Sequence, residues 1–228
     1  MTPLTPLALI PGWGFDQRVW QPVVDLLAAD FAIHHLDRDR PGTVPADAIV
    51  CGWSLGAMTA MRLALDQPER VARLVLVGAT PRFVQAPDWK DAATESSLVD
   101  FAAAVQVDPM ATLRRFAGRI NQGDAHAAPL TRRLTALLAD RRPDTAVLAT
   151  GLARLRDTDL RKSVAAIRQP TLLVHGERDA IMPVEAACWL ADHLPDARLE
   201  IFLEASHAPF LSEPARFAAL LRQFARDE

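Results

Sequence analysis

The sequence predicts an α/β fold, in which a mostly parallel β-sheet has helices on both faces. Three observations support this prediction. Short apolar runs of strand length recur along the chain, several of them are followed by segments with helical spacing, and turn residues separate the two. Alternating strands and helices are typical of a parallel sheet, because parallel neighbours must be joined by a crossover.

Six apolar runs are predicted to be strands. The first two flank a helical pattern at 19–29, which makes a βαβ unit at the start of the chain. Further helices are expected at 57–65, at 183–194 and from Pro214 onward, where Ser212 offers a cap. The predicted strands are 7–10, 31–36, 48–51, 71–77, 170–176 and 198–203.

Residues 80–162 have a different pattern and are predicted to be a helical lid insertion, here called the insertion. The segment is rich in Ala, Leu and Arg and contains no strand-like run. Prolines and glycines divide it into several helical pieces. Because 228 residues are an ordinary length for one α/β domain, we expect residues 1–228 to form a single domain that includes the insertion.

Composition excludes several classes of function. The chain has 25 basic and 28 acidic residues, so no global positive field favours nucleic acid or an anionic membrane. No apolar run approaches the length of a membrane helix, and the N-terminus lacks a signal-peptide pattern, so we expect a cytoplasmic protein. Cys51 and Cys188 are predicted to be core residues. Neither has a second Cys or His at ligand spacing, so no metal or other cofactor is expected.

The sequence Gly52-Trp53-Ser54-Leu55-Gly56 joins a predicted buried strand to a predicted helix. Strand, tight turn and helix are the setting of a G-x-S-x-G nucleophile elbow, which exposes its serine at a helix N-terminus. A glycine-rich turn in which the serine only caps a helix is the alternative for the pentapeptide taken alone. Ser54 is therefore a candidate nucleophile, and the rest of the chain must supply its partners.

Two loops after predicted strands carry an acid and a base. Asp179 follows the strand that ends at Gly176, and His207 follows the final strand. The chain order Ser54, Asp179, His207 is the nucleophile, acid, base order of α/β-hydrolases. We therefore predict a catalytic triad, in which His207 moves the proton and Asp179 orients the imidazole.

Other acids and histidines fit these roles less well. Glu204 is the rival acid, but it lies on the same loop as His207 rather than at another strand end. The remaining histidines have no matching acid motif, and all are interpreted as structural or surface residues: His34, His35, His126, His175 and His193.

The oxyanion hole is predicted from backbone amides. One donor is the N–H of Leu55, directly after the nucleophile, and the second is expected in the loop after the first strand, where Trp13 is the candidate. The side chains of Trp13 and Trp53 are also candidates for the wall of an acyl pocket. For Trp53, simple core packing is an equal alternative.

Several motifs resemble one family. Gly12-Trp13-Gly14, the 52–56 elbow, Pro68-Glu69-Arg70-Val71, and above all His207-Ala208-Pro209-Phe210 are similar to the pimeloyl-[acyl-carrier protein] methyl ester esterases of biotin synthesis. The resemblance covers most of the chain. It implies an α/β-hydrolase fold, cleavage of a methyl ester from the pimeloyl-carrier with release of methanol, and Ser54, Asp179 and His207 as the triad.

The resemblance also implies contacts in the insertion. Arg115 aligns with a family arginine that meets the acyl carrier, and Phe116 aligns with a phenylalanine that lines the acyl channel. The sequence adds a local excess of positive charge. The segment 109–142 contains seven arginines, and its only acidic residues are Asp124 and Asp140. Such an excess could dock an acidic carrier protein, although charged helices are more often simply solvated. The arginines are Arg114, Arg115, Arg119, Arg132, Arg133, Arg141 and Arg142.

The chain departs from the family pattern in three places. Pro11 replaces a histidine before Gly12, which leaves the backbone amides in place. The usual N-terminal hairpin is missing or vestigial, and the segment 37–48 is too short for the helix that normally precedes the nucleophile strand. The main interpretation is a serine carboxylic ester hydrolase. The alternatives are a general carboxylesterase or lactonase acting on a small molecule, and a non-catalytic binding protein with this fold.

Overall fold

A single parallel sheet organises the fold. The computed structural model describes residues 4–140 and 142–227. The strands lie in the order β2-β1-β3-β4-β5-β6, and each neighbouring pair is parallel, which confirms the predicted α/β architecture. They are Thr5–Ile10 (β1), Phe31–His35 (β2), Ala48–Trp53 (β3), Val71–Val77 (β4), Thr171–Gly176 (β5) and Ala197–Phe202 (β6).

Burial follows position in the sheet. Every residue of β3 and β5 is buried, because helices cover both faces of these central strands. The edge strands β2 and β6 are partly exposed, and His34 and His35 at the end of β2 face solvent.

Among the described residues, no helix combines the length and apolarity that a bilayer crossing demands.

Helices flank the sheet and connect its strands. The α-helices are Gln21–Leu27 (α1), Leu55–Asp66 (α2), Glu95–Val107 (α3), Pro109–Ile120 (α4), Ala127–Leu138 (α5), Thr145–Asp157 (α6), Val184–His193 (α7), Pro209–Ser212 (α8) and Pro214–Arg226 (α9).

The helices α3 to α6 all belong to the insertion. Three of them begin after a side chain that accepts a hydrogen bond from the first turn, and these N-caps are Thr94, Asp108 and Asp144. The stretch 80–94 forms bends and isolated bridges instead of a helix. Arg141, one of the seven predicted basic residues, lies outside the described part of the chain.

One prediction about the connections is visible in the structure. No helix lies between β2 and β3, whose connecting residues are all described. Within 4–140 and 142–227 no strand is antiparallel to its neighbour in the sheet. The strand order reverses between β1 and β3, and the carboxyl ends of strands at such a switch point are where α/β proteins bind ligands.

The two cysteines differ in environment. Cys51 is buried in β3, and burial raises the pKa of its thiol far above the ordinary value. Cys188 is exposed on α7, so its predicted core position is wrong, because it falls on the solvent side of that helix.

We expect one thiol per native chain to react with a chromogenic disulfide reagent, because only Cys188 is accessible. Titration in denaturant should release both thiols. A Cys188→Ser variant that still reacted rapidly in its native state would contradict the burial of Cys51.

Candidate active site

Ser54 occupies a strained turn between β3 and α2. Its backbone has φ 59° and ψ −122°, a conformation that L-residues avoid and that costs about 1–3 kcal/mol. Glycine is required on both sides, since a Cβ at Gly52 would lie 2.3 Å from the carbonyl oxygen of Gly56. A Cβ at Gly56 would lie 2.5 Å from the carbonyl oxygen of Ile10. The turn thus sets Ser54 at the N-terminus of α2, in the strand–turn–helix geometry that the sequence predicts.

Asp179 and His207 are in direct contact. His207 Nδ1 lies 2.7 Å from Asp179 Oδ2, and both side chains are fully buried. The other carboxylate oxygen, Oδ1, accepts the backbone N–H groups of Ile181 at 2.8 Å and Met182 at 2.9 Å. These bonds fix the carboxylate, so that it can hold the imidazole in one orientation.

His175 is a further neighbour of Asp179. Its Nε2 lies 2.8 Å from the carbonyl oxygen of Met182 and 3.2 Å from Asp179 Oδ2. Burial alone would raise the pKa of Asp179, but the charges and hydrogen bonds of His207 and His175 hold it well below its usual range. Burial likewise opposes charge on His175, yet its contact with Asp179 leaves the pKa of this histidine raised.

His175 is predicted from the sequence to be a structural or surface residue, and its contact with Asp179 is not foreseen. The available signal was its position at the carboxyl end of a buried strand, four residues before Asp179.

The loop that carries His207 is held by the insertion. The backbone N–H of His207 donates to the carbonyl of Ile120 at 3.1 Å, and that of Ser206 donates to Asp124 Oδ2 at 2.9 Å. Asp124, counted in the sequence only as a charge, is therefore a buried acceptor for this loop. His207 Nε2 is buried and makes no hydrogen bond to any described residue, Ser54 Oγ included. The structure thus joins Asp179 to His207, but it does not show the predicted hydrogen bond between the histidine and the serine.

Trp53 links His207 to the turn that carries Ser54. Its indole N–H donates to the carbonyl of His207 at 2.8 Å, and the indole ring lies 5.6 Å from the imidazole. Trp53 is 1% exposed and is not among the described residues that line the cavity beside Ser54. The geometry thus favours the core-packing alternative for Trp53.

Glu204, the rival acid, is on the surface. Its carboxylate is exposed and pairs with Arg178 at 2.9 Å. Among the described residues, no group of three or more His, Cys, Asp or Glu side chains is arranged to hold a metal ion.

The two predicted oxyanion donors are the backbone amides of Leu55 and Trp13. Leu55 is the first residue of α2, where helix geometry leaves backbone N–H groups without internal partners. Neither the amide of Leu55 nor that of Trp13 donates to another described residue, although both residues are buried. Amides at a helix N-terminus favour negative charge, so this pair suits an oxyanion.

A cavity of about 320 Å³ opens beside Ser54. Its lining is mainly apolar, and Phe116 belongs to it, as the resemblance implies. The Trp13 ring packs edge-on against Phe101 at 5.3 Å and against Phe116 at 5.2 Å. The main apolar lining residues are Trp13, Phe83, Phe101, Phe116, Leu152 and Met182.

Trp13 also fastens the insertion to the loop after β1. Its indole N–H donates to the carbonyl of Leu148 on α6 at 2.9 Å. A Cβ at Gly151 would lie 2.6 Å from the Trp13 ring, so only glycine lets α6 approach this closely. The candidate oxyanion loop is thus tied to the cavity wall.

Six of the seven predicted arginines lie in the described part of the chain, and all six are exposed. Arg142 lies in the connection between α5 and α6, and the other five lie on two helices that pack together. Arg115 does not line the cavity, and its guanidinium donates to Thr112 Oγ1 at 3.0 Å. Arg119 does line the cavity. None of the five forms an ion pair with another described residue, so their charges face solvent uncompensated. We call this set the basic surface: Arg114, Arg115 and Arg119 on α4, and Arg132 and Arg133 on α5.

Comparisons with known proteins identify the family and the fold. The family model described as "alpha/beta hydrolase fold" matches residues 44–214. A solved esterase from Exiguobacterium antarcticum shares the fold with a TM-score of 0.86 at 21% identity, covering 100% of this chain and 94% of that one.

Two curated relatives are named pimeloyl-[acyl-carrier protein] methyl ester esterase. The protein from Aromatoleum aromaticum is 39% identical, over 96% of this chain and 98% of its own length. The protein from Nitrosomonas europaea is 38% identical, over 93% of this chain and 92% of its own length. The chain therefore belongs to the α/β-hydrolase family, and within it to the carboxylic ester hydrolases named pimeloyl-[acyl-carrier protein] methyl ester esterases.

Proposed function

We propose that the protein hydrolyses a carboxylic methyl ester through Ser54, with His207 as the base and Asp179 as the orienting acid. The observation that carries this proposal is the state of His207. Its Nδ1 is held 2.7 Å from Asp179, while its buried Nε2 has no partner within the described chain. A histidine so arranged, linked through Trp53 to a strained serine turn, is poised to accept one proton.

In the proposed acylation step, Ser54 Oγ attacks the ester carbonyl carbon and its proton passes to His207 Nε2. The amides of Leu55 and Trp13 stabilise the negative charge that develops on the carbonyl oxygen. When the tetrahedral intermediate collapses, the carbon–oxygen bond to the methoxy group breaks. The imidazolium returns the proton to this group, and methanol leaves.

Deacylation repeats these roles with water as the nucleophile. His207 takes a proton from water, the hydroxyl oxygen bonds to the acyl carbon, and the bond to Ser54 Oγ breaks. The serine regains its proton and the acid is released. Asp179 remains ionised throughout and stabilises the imidazolium of both steps, as the low pKa of its carboxyl group allows.

For the substrate, we propose pimeloyl-[acyl-carrier protein] methyl ester, the substrate class that the relatives' names state. The cavity beside Ser54 is apolar, as the alkyl chain of such an acyl group requires. Arg119 belongs both to the cavity and to the basic surface, which suits a substrate that runs from the cavity to an acidic carrier. Both cysteines are unpaired, in keeping with the proposed cytoplasmic location.

The substrate is tested by comparing the carrier-linked methyl ester with free methyl esters of graded chain length. We expect the carrier-linked ester to have the higher kcat/KM, with demethylation followed by mass spectrometry and methanol release. Rescue of a biotin auxotroph that lacks its own esterase is the matching test in cells. Equal turnover of free esters, without rescue, would favour the general carboxylesterase or lactonase alternative.

Carrier docking at the basic surface predicts a salt effect. At low salt, the double variant Arg115→Glu with Arg132→Glu should lower the preference for the carrier-linked over the free ester by about tenfold, because it replaces attraction by repulsion. Rising salt should remove this preference from the wild-type enzyme as well. The measurement is the ratio of the two kcat/KM values across a salt series.

The matched control is Arg62→Glu, which reverses the charge of an exposed arginine on α2, outside the basic surface. It should leave the ratio unchanged. A wild-type ratio that did not depend on salt would contradict docking through these arginines.

A further inference from the structure

Arg38 contacts the back of the peptide group that carries the Trp13 amide. Its Nη1 donates to the carbonyl oxygen of Gly12 at 2.6 Å and more weakly to that of Phe15 at 3.4 Å. The carbonyl of Gly12 and the N–H of Trp13 belong to one planar trans peptide, so the two groups point in opposite directions. A guanidinium that fixes the carbonyl therefore also fixes the direction of the N–H.

Arg38 is itself held on several sides. Its side chain is 8% exposed and pairs with Asp39 at 2.7 Å. Arg154 of α6 donates to Asp39 Oδ1 at 3.0 Å and to the backbone carbonyl of Arg38 at 2.9 Å. Thr59 of α2 also donates to that carbonyl. The guanidinium is therefore held between Asp39 and the carbonyls of Gly12 and Phe15, while Arg154 and Thr59 anchor the backbone of Arg38. These contacts fix its position against the 12–13 peptide.

We infer that Arg38 is a positioning residue for the oxyanion hole: it aims the Trp13 amide and strengthens it as a donor. A positive charge at the carbonyl oxygen withdraws electron density from the peptide, and hydrogen bonds linked through one peptide reinforce each other. The inference rests on the proposed function, in which this amide binds the oxyanion of the tetrahedral intermediate.

The position of Arg38 in the chain explains how it reaches the loop after β1. It lies in the segment between β2 and β3, which has no helix. The segment instead passes beside the loop after β1, where Arg38 reaches Gly12. The part of the fold that is reduced relative to the family pattern thus carries the support of one oxyanion donor.

The test uses Arg38→Met and a probe of the oxyanion hole. We expect kcat on a short activated ester to fall roughly ten- to fiftyfold, less than for loss of a donor itself, with KM changed by less than about threefold. The probe is an alkyl trifluoromethyl ketone. Ser54 Oγ adds to its carbonyl carbon, His207 takes the serine proton, and the carbonyl oxygen becomes an oxyanion in the hole. Its inhibition constant should rise by the same factor as kcat falls.

Arg161→Met is the matched control. Arg161 is also a largely buried arginine, and it pairs with Asp159 at 2.7 Å and with Asp88 at 3.0 Å. It does not contact the loop after β1. The variant should lose stability without the parallel loss in kcat and ketone affinity. If Arg38→Met does not fold, the smaller change Arg38→Gln takes its place in the same comparison.

A folded Arg38 variant whose kcat and ketone affinity change no more than those of Arg161→Met would overturn the inference. Ser54→Ala, assayed in parallel, separates this outcome from failure of the proposed function. An inactive Ser54→Ala beside unaffected Arg38 variants removes only the role of Arg38. An active Ser54→Ala removes both.

Discussion

Replacing Ser54 with alanine is expected to lower kcat for ester hydrolysis by roughly 10⁴- to 10⁶-fold, because the nucleophile of a serine hydrolase cannot be bypassed. The hydroxyl makes no capping bond to α2, and alanine keeps the Cβ that the strained turn already accommodates. The melting temperature should therefore stay close to that of the wild type. Initial rates on a chromogenic ester and a thermal melt measure the two quantities.

The control is Ser96→Ala, which removes a hydroxyl from an exposed serine on α3. Its rate should equal that of the wild type. A folded Ser54→Ala enzyme with undiminished turnover would rule out Ser54 as the nucleophile.

Asp179→Asn is expected to lower kcat at neutral pH by roughly 10⁴-fold. The backbone N–H groups of Ile181 and Met182 donate to Oδ1, so the oxygen of an asparagine must occupy that side. Its NH₂ group then faces His207 Nδ1, which becomes an acceptor. The ring proton moves to Nε2, and the imidazole can no longer take a proton from Ser54.

The measurement is kcat for Asp179→Asn beside Glu204→Gln, the matched change at the exposed rival acid. Glu204→Gln should behave as the wild type, because its partner is Arg178 at the surface. Equal losses in the two variants would contradict the assignment of Asp179.

The same substitution has a predicted effect on stability. Because the pKa of Asp179 is depressed in the folded protein, the unfolded chain binds the extra proton first. The ionised carboxylate thus stabilises the fold above pH ~4, the ordinary value for aspartate, and this contribution is lost as the pH falls below it. Urea unfolding at pH 6 and pH 3 should show a smaller acid-induced loss for Asp179→Asn than for the wild type. An equal loss would contradict the depressed pKa.

The architecture was predictable because its signals are local. The strands β3 and β4 are apolar runs bounded by turn residues, and the Ser54 turn is bracketed by glycines that no other residue could replace. Asp179 and His207 could be proposed because each lies in a loop directly after such a run, and the loops at the carboxyl ends of parallel strands lie together at one edge of the sheet.

The supporting contacts could not be predicted in this way. Arg38 is a single residue in no repeating pattern, and its role depends on groups that the fold brings near. The hydrogen bond from His207 to Ile120 joins residues from two distant parts of the chain, so no local sequence pattern predicts it. Exposure of Cys188 and burial of Trp53 depend likewise on which way a helix or strand faces.

The bonds that join the insertion to the loops of His207 and Trp13 bear on how the substrate range of this protein can change. Ile120 and Asp124 hold the loop of His207, and Leu148 and Gly151 hold the loop of Trp13. The insertion therefore cannot be exchanged without affecting the two loops that it contacts. A segment grafted from another hydrolase would have to present two backbone carbonyls and one carboxylate at the same positions. Otherwise the loops of His207 and Trp13 would lose their support, and activity would fall together with specificity. New substrates are more accessible through single side chains that face the cavity, such as Phe116, which change its shape while leaving the backbone contacts intact.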